Sequence, residues 1–297
     1  MQGMRSIPKR SRLMKIVDVW DVSTFDDPLA AKLREHTALV RDYLTTSRRQ
    51  YIERELSDHT QPYAINSFAT EYGAFVEGIG RMMEARTIRA WHYCRLTDSE
   101  AEALRRNGIQ LSTIDTLTAR LNAQVAAGSL SRAEAHGLFA ASPFHSVQRE
   151  ARTDKYWMVS TPLPPDYSGV QLLLRHWGGE VAYFWLRDQD LVGLVQGIGR
   201  GRVIEVAVPM SATRHSYSAG SAVVATFARS LGCKPDRMSF DLYTTKRLGA
   251  DAILRIHSEG ESDFAALGSV YPLGSADPTI DDYDELVAEM QAIRSAQ

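Results

Sequence analysis

The chain has 297 residues, which allows one large buried core or two smaller ones. Its formal net charge of −2 excludes a globally basic nucleic-acid binder but stays compatible with a local basic groove. The two cysteines, Cys94 and Cys233, are too few for a disulfide framework and have no partner at zinc-ligand spacing, so we predict no metal site. Because no run of 18 apolar residues occurs, we expect a cytoplasmic protein without a membrane partner.

The first part of the chain is predicted to be an arm followed by helices. Residues 1–24 have the composition of a flexible arm that ends in a short apolar segment. Asp27-Pro28 is typical of a helix start, because proline suits the first helical position. From Ser67 onward, apolar residues recur at helical spacing. We therefore expect a helical N-terminal region over 25–88, with its apolar face packed against the rest of the protein rather than against a partner.

A helical insert is predicted after a short aromatic strand that carries His92. Thr97 begins a capping box, and Gly108 is a suitable left-handed end for the helix that follows it. Ser112 and Ser131 are typical caps of two further helices. Three capped helices in close succession favour an insert between strands.

Strand patterns dominate the rest of the central region, which we place at 89–262. We predict strands at 156–161, 180–185, 202–209, 238–244 and 252–257 and a helix at 218–231. Strands and helices do not alternate strictly, so the sequence predicts an α+β fold with a mixed or antiparallel sheet core. Residues 263–297 are expected to form a C-terminal helical tail.

The first candidate functional cluster lies on the early strand. His92, Tyr93 and Arg95 are close in sequence, but His92 shares no strand face with the other two, since side chains alternate. One face is therefore expected to line a cleft and the other to join the core. A structural histidine is the alternative interpretation of His92.

Other polar candidates follow later strands and turns. Ser160 and Thr161 end an aromatic strand, where their hydroxyls suit either a nucleotide or a turn cap. Glu180 follows two glycines and is either a general base, a ribose ligand or half of a salt bridge. Arg214 precedes a helix and suits an anion, although the serines beside it also suit an N-cap. Asp241 is unusual because apolar residues flank it.

This layout resembles the ADP-ribosyltransferase-like superfamily over about residues 89–258. The resemblance starts with Trp91-His92-Tyr93, the helix from Thr97, and Gly108 followed by Ile109. It continues with the strand at 156–161 and with the closing segment at 246–254.

The resemblance implies an NAD-consuming transferase that acts as a toxin or defence effector on a protein or nucleic acid. It implies that His92 contacts the ribose of NAD and that Ser160 or Thr161 helps to hold it. An acidic residue completes such a site, and Glu180, Asp241 and Glu205 are its candidates. We therefore predict His92, Glu180 and Asp241 as catalytic residues. The predicted nucleotide-binding residues are Tyr93, Arg95, Ser160, Thr161 and Arg214.

Two other functions stay open from the sequence. A non-enzymatic interaction protein would dock a partner through its N-terminal helices, and its strand-end cluster would be structural. A phosphate-ester enzyme, like the RNA phosphotransferases related to the superfamily, would use His92, Arg95 and Arg214 as anion ligands.

Overall fold

A long antiparallel strand pair forms the centre of the protein. The computed structural model describes residues 15–57, 64–235, 239–269, 271 and 283–295. In it, β2 (Thr87–Leu96) and β4 (Arg200–Pro209) pair antiparallel over ten residues each. The other strands are β1 (Ile16–Val17), β3 (Tyr156–Val159), β5 (Asp241–Thr244) and β6 (Ile253–Ser258). This sheet confirms the predicted α+β class.

The sheet order leaves a gap beside β2. The strands run β5-β3-β2-β4-β6, and β1 lies parallel to β2. Since β4 occupies one edge of β2 completely, β1 and β3 share the other edge. There β1 pairs with Thr87 and Ile88, whereas β3 pairs with β2 only through Trp91 and Val159. The strands β2 and β3 therefore diverge from His92 onward.

Helices cover both faces of the sheet and fill the insert. The first three are α1 (Asp27–Glu35), α2 (Thr37–Glu55) and α3 (Ala69–Met83). The insert contains α4 (Asp98–Asn107), α5 (Ile114–Ala126), α6 (Arg132–Ala140) and α7 (Arg149–Arg152). Next come α8 (Ser168–Arg175), α9 (Glu180–Tyr183), α10 (Gln189–Gly197) and α11 (Ser216–Ser230). The last two described helices are α12 (Ser262–Ala265) and α13 (Tyr283–Ser295).

The main core joins the N-terminal helices to one face of the sheet. Leu29 of α1, Ile79 of α3, Ile88 of β2 and Val223 of α11 belong to the same cluster of buried side chains. The helices α3 and α11 approach closely at two glycines. A Cβ on Gly220 would lie 2.6 Å from the backbone nitrogen of Gly80, so only glycine permits this contact. The region predicted at 25–88 thus shares its core with the sheet.

Two smaller cores complete the packing. On the opposite face of β2, Trp91 and Tyr93 pack with Val170 of α8 and Phe264 of α12. Within the insert, α5, α6 and α10 surround the fully buried Trp177. No described helix combines the length and the apolar character needed to cross a membrane.

The prediction of a flexible arm at 1–24 is wrong for its described part. Residues 1–14 lie outside the described residues, but Ile16 and Val17 pair with β2, and Val17, Val19 and Trp20 are buried. The indole Nε1 of Trp20 also donates a hydrogen bond to the carbonyl of Ser160 at 2.9 Å. A two-residue strand is too short to show a periodic pattern, so tertiary packing decides its structure.

The strand predicted at 180–185 is also wrong, because Glu180–Tyr183 forms the short helix α9. Gly178 and Gly179 have positive φ angles of 86° and 64° and turn the chain sharply before it. Ala182 is buried where a Cβ on Gly178 would collide with it. A short apolar run does not distinguish a strand from a helix, and here the turn decides.

The C-terminal helix packs on the N-terminal region. Leu286 and Met290 of α13 contact Ile52 of α2, and Glu289 accepts a hydrogen bond from Arg48 at 2.8 Å. Most of the predicted tail at 263–297 that precedes α13 lies outside the described residues.

Candidate functional site

A cavity of about 960 Å³ opens where β2 and β3 diverge. Its walls come from β2, α4, α5, β3, α8, the turn before α9 and the start of β5. This volume is within the range of small-molecule and cofactor sites. Of the predicted site residues, His92, Tyr93, Thr161, Glu180 and Asp241 line it.

The imidazole of His92 bridges the diverging strands. Its Nδ1 lies 2.7 Å from the carbonyl oxygen of Trp157, and its ring lies 4.1 Å from the ring of Tyr156. A carbonyl oxygen only accepts hydrogen bonds, so Nδ1 carries the proton and Nε2 keeps a free lone pair. Burial lowers the pKa of His92 to about 4, and the nearby Arg120 cation adds to this effect. The ring is thus neutral at pH 7.

Several polar atoms of the cavity walls are buried without a hydrogen-bond partner. They are Tyr156 Oη, Thr161 Oγ1, Arg120 Nη2 and Arg152 Nε. Buried polar groups in folded proteins nearly always have partners, because an unsatisfied group costs free energy. Four such atoms belong to residues that line this one cavity.

A buried ion pair holds one wall of the cavity. Glu100 accepts hydrogen bonds from Arg120 Nε at 2.7 Å, from the indole of Trp177 at 2.8 Å and from the backbone of Thr97 at 2.9 Å. Burial raises the pKa of Glu100, but Arg120 and the hydrogen bonds outweigh burial, so the pKa is lowered. Glu100 therefore stays ionised and fixes the guanidinium of Arg120 in the cavity wall.

A second ion pair lies at the turn before α9. Glu180 accepts a hydrogen bond from Arg152 Nη2 at 2.8 Å, and the guanidinium of Arg152 lies 4.8 Å from the ring centre of Phe184. The side chain of Glu180 is 42% exposed, whereas that of Arg152 is 11% exposed. The positive charge of Arg152 balances the negative charge of the Glu180 carboxylate. Glu180 therefore positions Arg152 and is not an isolated carboxylate.

Asp241 begins β5 on the opposite side of the cavity. It pairs in register with Val159 of β3, and its side chain is exposed. His92, Thr161 and Asp241, which are the predicted histidine, hydroxyl and acid, all line this cavity.

Three predicted nucleotide-binding residues do not line the cavity. Arg95 donates hydrogen bonds to the carbonyls of Ile198 and Leu174, which anchors the end of α10 and α8 to β2. Ser160 is fully buried, and its Oγ accepts a hydrogen bond from the backbone of Phe240. Arg214 is exposed in the loop before α11. The side chains of Arg95 and Ser160 therefore make structural contacts, and Arg214 lies outside this cavity.

The side chains of two other candidates also make structural contacts. The hydroxyl of Tyr93 lies in the cavity wall but donates to the carbonyl of Leu163 and accepts from its amide. Glu205 does not line the cavity and instead pairs with Arg89 at 3.0 Å and with His257 at 3.4 Å.

The thiol of Cys94 also faces the cavity but does not suit a nucleophile. Burial raises its pKa to about 12, so the thiol is protonated at neutral pH. The part of the chain that the structure describes contains no group of three or more metal-ligating side chains.

The sequence did not single out Tyr156, Glu100 and Arg120 as site residues. Tyr156 belongs to a predicted strand and Glu100 to a predicted capping box, and these patterns explain both residues without a functional role. Arg120 lies on a helix, where a basic residue is usually solvated. Only the tertiary structure brings the three to one cavity.

Comparison with protein-family models, with curated proteins and with solved structures finds no match.

Proposed function

We propose that the chain is an NAD-consuming transferase that cleaves the bond between nicotinamide and ribose. The observation that carries this proposal is the convergence of His92, Thr161 and Asp241 on one cavity, as the resemblance to ADP-ribosyltransferase-like domains implies.

The polar atoms of the cavity fit such a substrate. Arg120, Arg152 and Lys155 give the lining three cationic side chains, which suit a diphosphate. Tyr156 and Trp157 supply aromatic surfaces for flat rings. Thr161 Oγ1 and His92 Nε2 suit the ribose hydroxyls, since each has hydrogen-bonding capacity left.

NAD would supply a leaving group that departs as neutral nicotinamide with the electron pair of the broken bond. In this proposal the Asp241 carboxylate, which lines the cavity, stabilises the positive charge that develops on the ribose. An oxygen or nitrogen of the acceptor then forms the new bond to the ribose carbon and releases its proton to solvent.

The direct test is the release of nicotinamide from NAD by the purified full chain, together with NAD binding by calorimetry. NADH is the matched control, because its uncharged ring is a poor leaving group. We expect cleavage of NAD and not of NADH. If NAD neither binds nor is cleaved, with or without nucleic acid or protein acceptors, the proposal is wrong.

The phosphotransferase alternative receives less support from this geometry. It needs His92, Arg95 and Arg214 around one anion, yet neither arginine lines the cavity that His92 faces. An interaction protein would not need four unsatisfied polar atoms around one cavity.

A further inference from the structure

Outside the cavity, an aromatic cluster continues along the outer edge of the sheet. Trp157 lines the cavity and is 40% exposed. Its ring centre lies 4.7 Å from that of Tyr243 on the edge strand β5, and the ring of His215 lies 4.9 Å from Tyr243 on the other side. We call these three residues the aromatic edge.

The rings of the aromatic edge are held in place. Trp157 Nε1 donates to the carbonyl of Ala151 at 3.0 Å, which fixes the indole. Burial lowers the pKa of His215, although Asp241 opposes this effect, so the ring is neutral at pH 7. A fixed, uncharged aromatic surface loses little conformational entropy when a flat ligand stacks on it.

Three cationic side chains lie near the aromatic edge. The ammonium of Lys155 lies 5.1 Å from the ring centre of Tyr243. Lys246 donates to the carbonyl of Ser211, in the loop that also carries the exposed Arg214 next to His215. Among the described residues, none of these three cations takes part in an ion pair.

We propose that the aromatic edge binds single-stranded nucleic acid and leads it to the mouth of the cavity. Stacked bases need accessible rings, and the phosphates between them need nearby cations. Here Trp157 supplies an exposed ring, Tyr243 and His215 are half-buried beside it, and the cations lie close by. An acidic peptide would use the cations but not the aromatic surface. Trp157 belongs to both the edge and the cavity, so a bound strand would place a nucleotide beside the NAD site. This last step rests on the proposed function, whereas binding to the edge does not.

The test is fluorescence anisotropy with a labelled 12-nucleotide single strand, in RNA and DNA versions, without NAD. The double variant Arg214→Gln/Lys246→Gln removes two cations that do not line the cavity. We expect its affinity to fall about tenfold at 0.1 M salt and its salt dependence to become shallower by about one phosphate contact per cation. Arg34→Gln/Arg41→Gln on α1 and α2 changes charge equally and should bind as the wild type does.

Stacking is tested by Tyr243→Leu and Trp157→Leu, which keep apolar bulk but remove the rings. We expect at least a fivefold loss of affinity in each, with little change in salt dependence. Circular dichroism and the melting temperature identify a variant that fails to fold, and Tyr217→Leu, an exposed tyrosine outside the aromatic edge, is the control.

Two results would overturn this proposal. One is wild-type binding to neither RNA nor DNA. The other is equal binding of single strands, duplex DNA and polyglutamate, which would indicate a purely electrostatic surface. NAD affinity of Arg214→Gln/Lys246→Gln separates the two proposals, since it should be unchanged. Loss of NAD cleavage by the wild type with strand binding intact would contradict only the proposed reaction, and the reverse result only the aromatic edge.

Discussion

His92 and Trp157 are joined across the gap between β2 and β3 by a hydrogen bond of 2.7 Å from the imidazole Nδ1 to the backbone carbonyl. The bond takes the place of strand pairing, because the β2–β3 ladder stops one residue earlier, at Trp91. The Nδ1 atom of the ring therefore joins the two strands, while its Nε2 atom is left for a ligand.

Stability should depend on the protonation of His92. Its pKa is about 4 in the folded protein against 6.5 ordinarily, so the unfolded chain binds a proton first as the pH falls. The contribution of neutral His92 to the free energy of unfolding is complete above about pH 6.5 and is lost as the pH falls towards 4. In His92→Asn, the amide nitrogen replaces Nδ1 as the donor but does not titrate. Urea unfolding at pH 7.5 and 5.0 should show a smaller pH-dependent loss in this variant. An identical loss in both proteins would show that His92 is not the titrating group.

Two tyrosine hydroxyls should respond oppositely to removal. Tyr156→Phe deletes a buried hydroxyl without a partner, so we expect the free energy of unfolding to stay the same or to rise by about 1 kcal/mol. Tyr93→Phe leaves the amide and carbonyl of Leu163 without partners and should lower the free energy of unfolding by about 1–3 kcal/mol. Chemical denaturation measures both. NAD affinity should fall only in Tyr156→Phe, and equal destabilisation of the two variants would contradict the assignment.

Substitutions of Asp241 and Glu180, two of the three carboxylates that line the cavity, should differ in kinetic effect. Asp241→Asn should lower kcat for nicotinamide release about 100-fold or more, because the charge that stabilises the reacting ribose is lost. Glu180→Gln should mainly raise KM by several-fold, since it only loosens Arg152. Both side chains are well exposed, so the melting temperatures should change little. A larger kcat effect in Glu180→Gln than in Asp241→Asn would reverse these roles.

Glu100 should be required for folding rather than for chemistry. Glu100→Gln leaves Arg120 without its buried counterion and should cost about 2–4 kcal/mol. The pKa of Glu100 lies below its usual 4.5, so its stabilising contribution is present above about pH 4.5 and is lost as the pH falls further. Acid unfolding should therefore be less steep in the variant. Glu102→Gln on the same helix is the control, because its ion pair is exposed and worth little.

Gly108 and Gly128 have similar φ angles of 71° and 74° but different surroundings. A Cβ on Gly108 would lie 2.1 Å from the backbone oxygen of Leu248, whereas nothing lies within 4 Å of one on Gly128. We expect Gly108→Ala to lower the free energy of unfolding by about 3 kcal/mol or more and Gly128→Ala to lower it by about 1 kcal/mol. Thermal unfolding measures the difference, and similar values for both would contradict the close approach at Gly108.

Local signals predicted much of the fold. The capping boxes at Thr97 and Ser131, the end of α4 at Gly108 and the strand around His92 are all present, because each depends on neighbours in sequence. The predicted cap at Ser112 is Thr113 in the structure, a difference of one residue.

The site was predictable only in part. His92 and Asp241 lie on strands and Thr161 follows the end of β3, and all three line one cavity. The ion pair of Glu100 with Arg120 and the bond from Trp20 to Ser160 join residues far apart in sequence. No periodic pattern reports such contacts, and Arg95 and Ser160 were misassigned because their partners are equally distant.

The contacts of the first described segment have a consequence for biosynthesis. The hydroxyl of Tyr271 donates to Asp18 at 2.5 Å, and the indole of Trp20 reaches the end of β3. Trp20 and Ser160 are 140 positions apart in the sequence, and Asp18 and Tyr271 are 253 apart. During synthesis, both contacts of the segment that carries Trp20 can therefore form only after residue 271 has left the ribosome, so we expect this segment to be fixed late in folding.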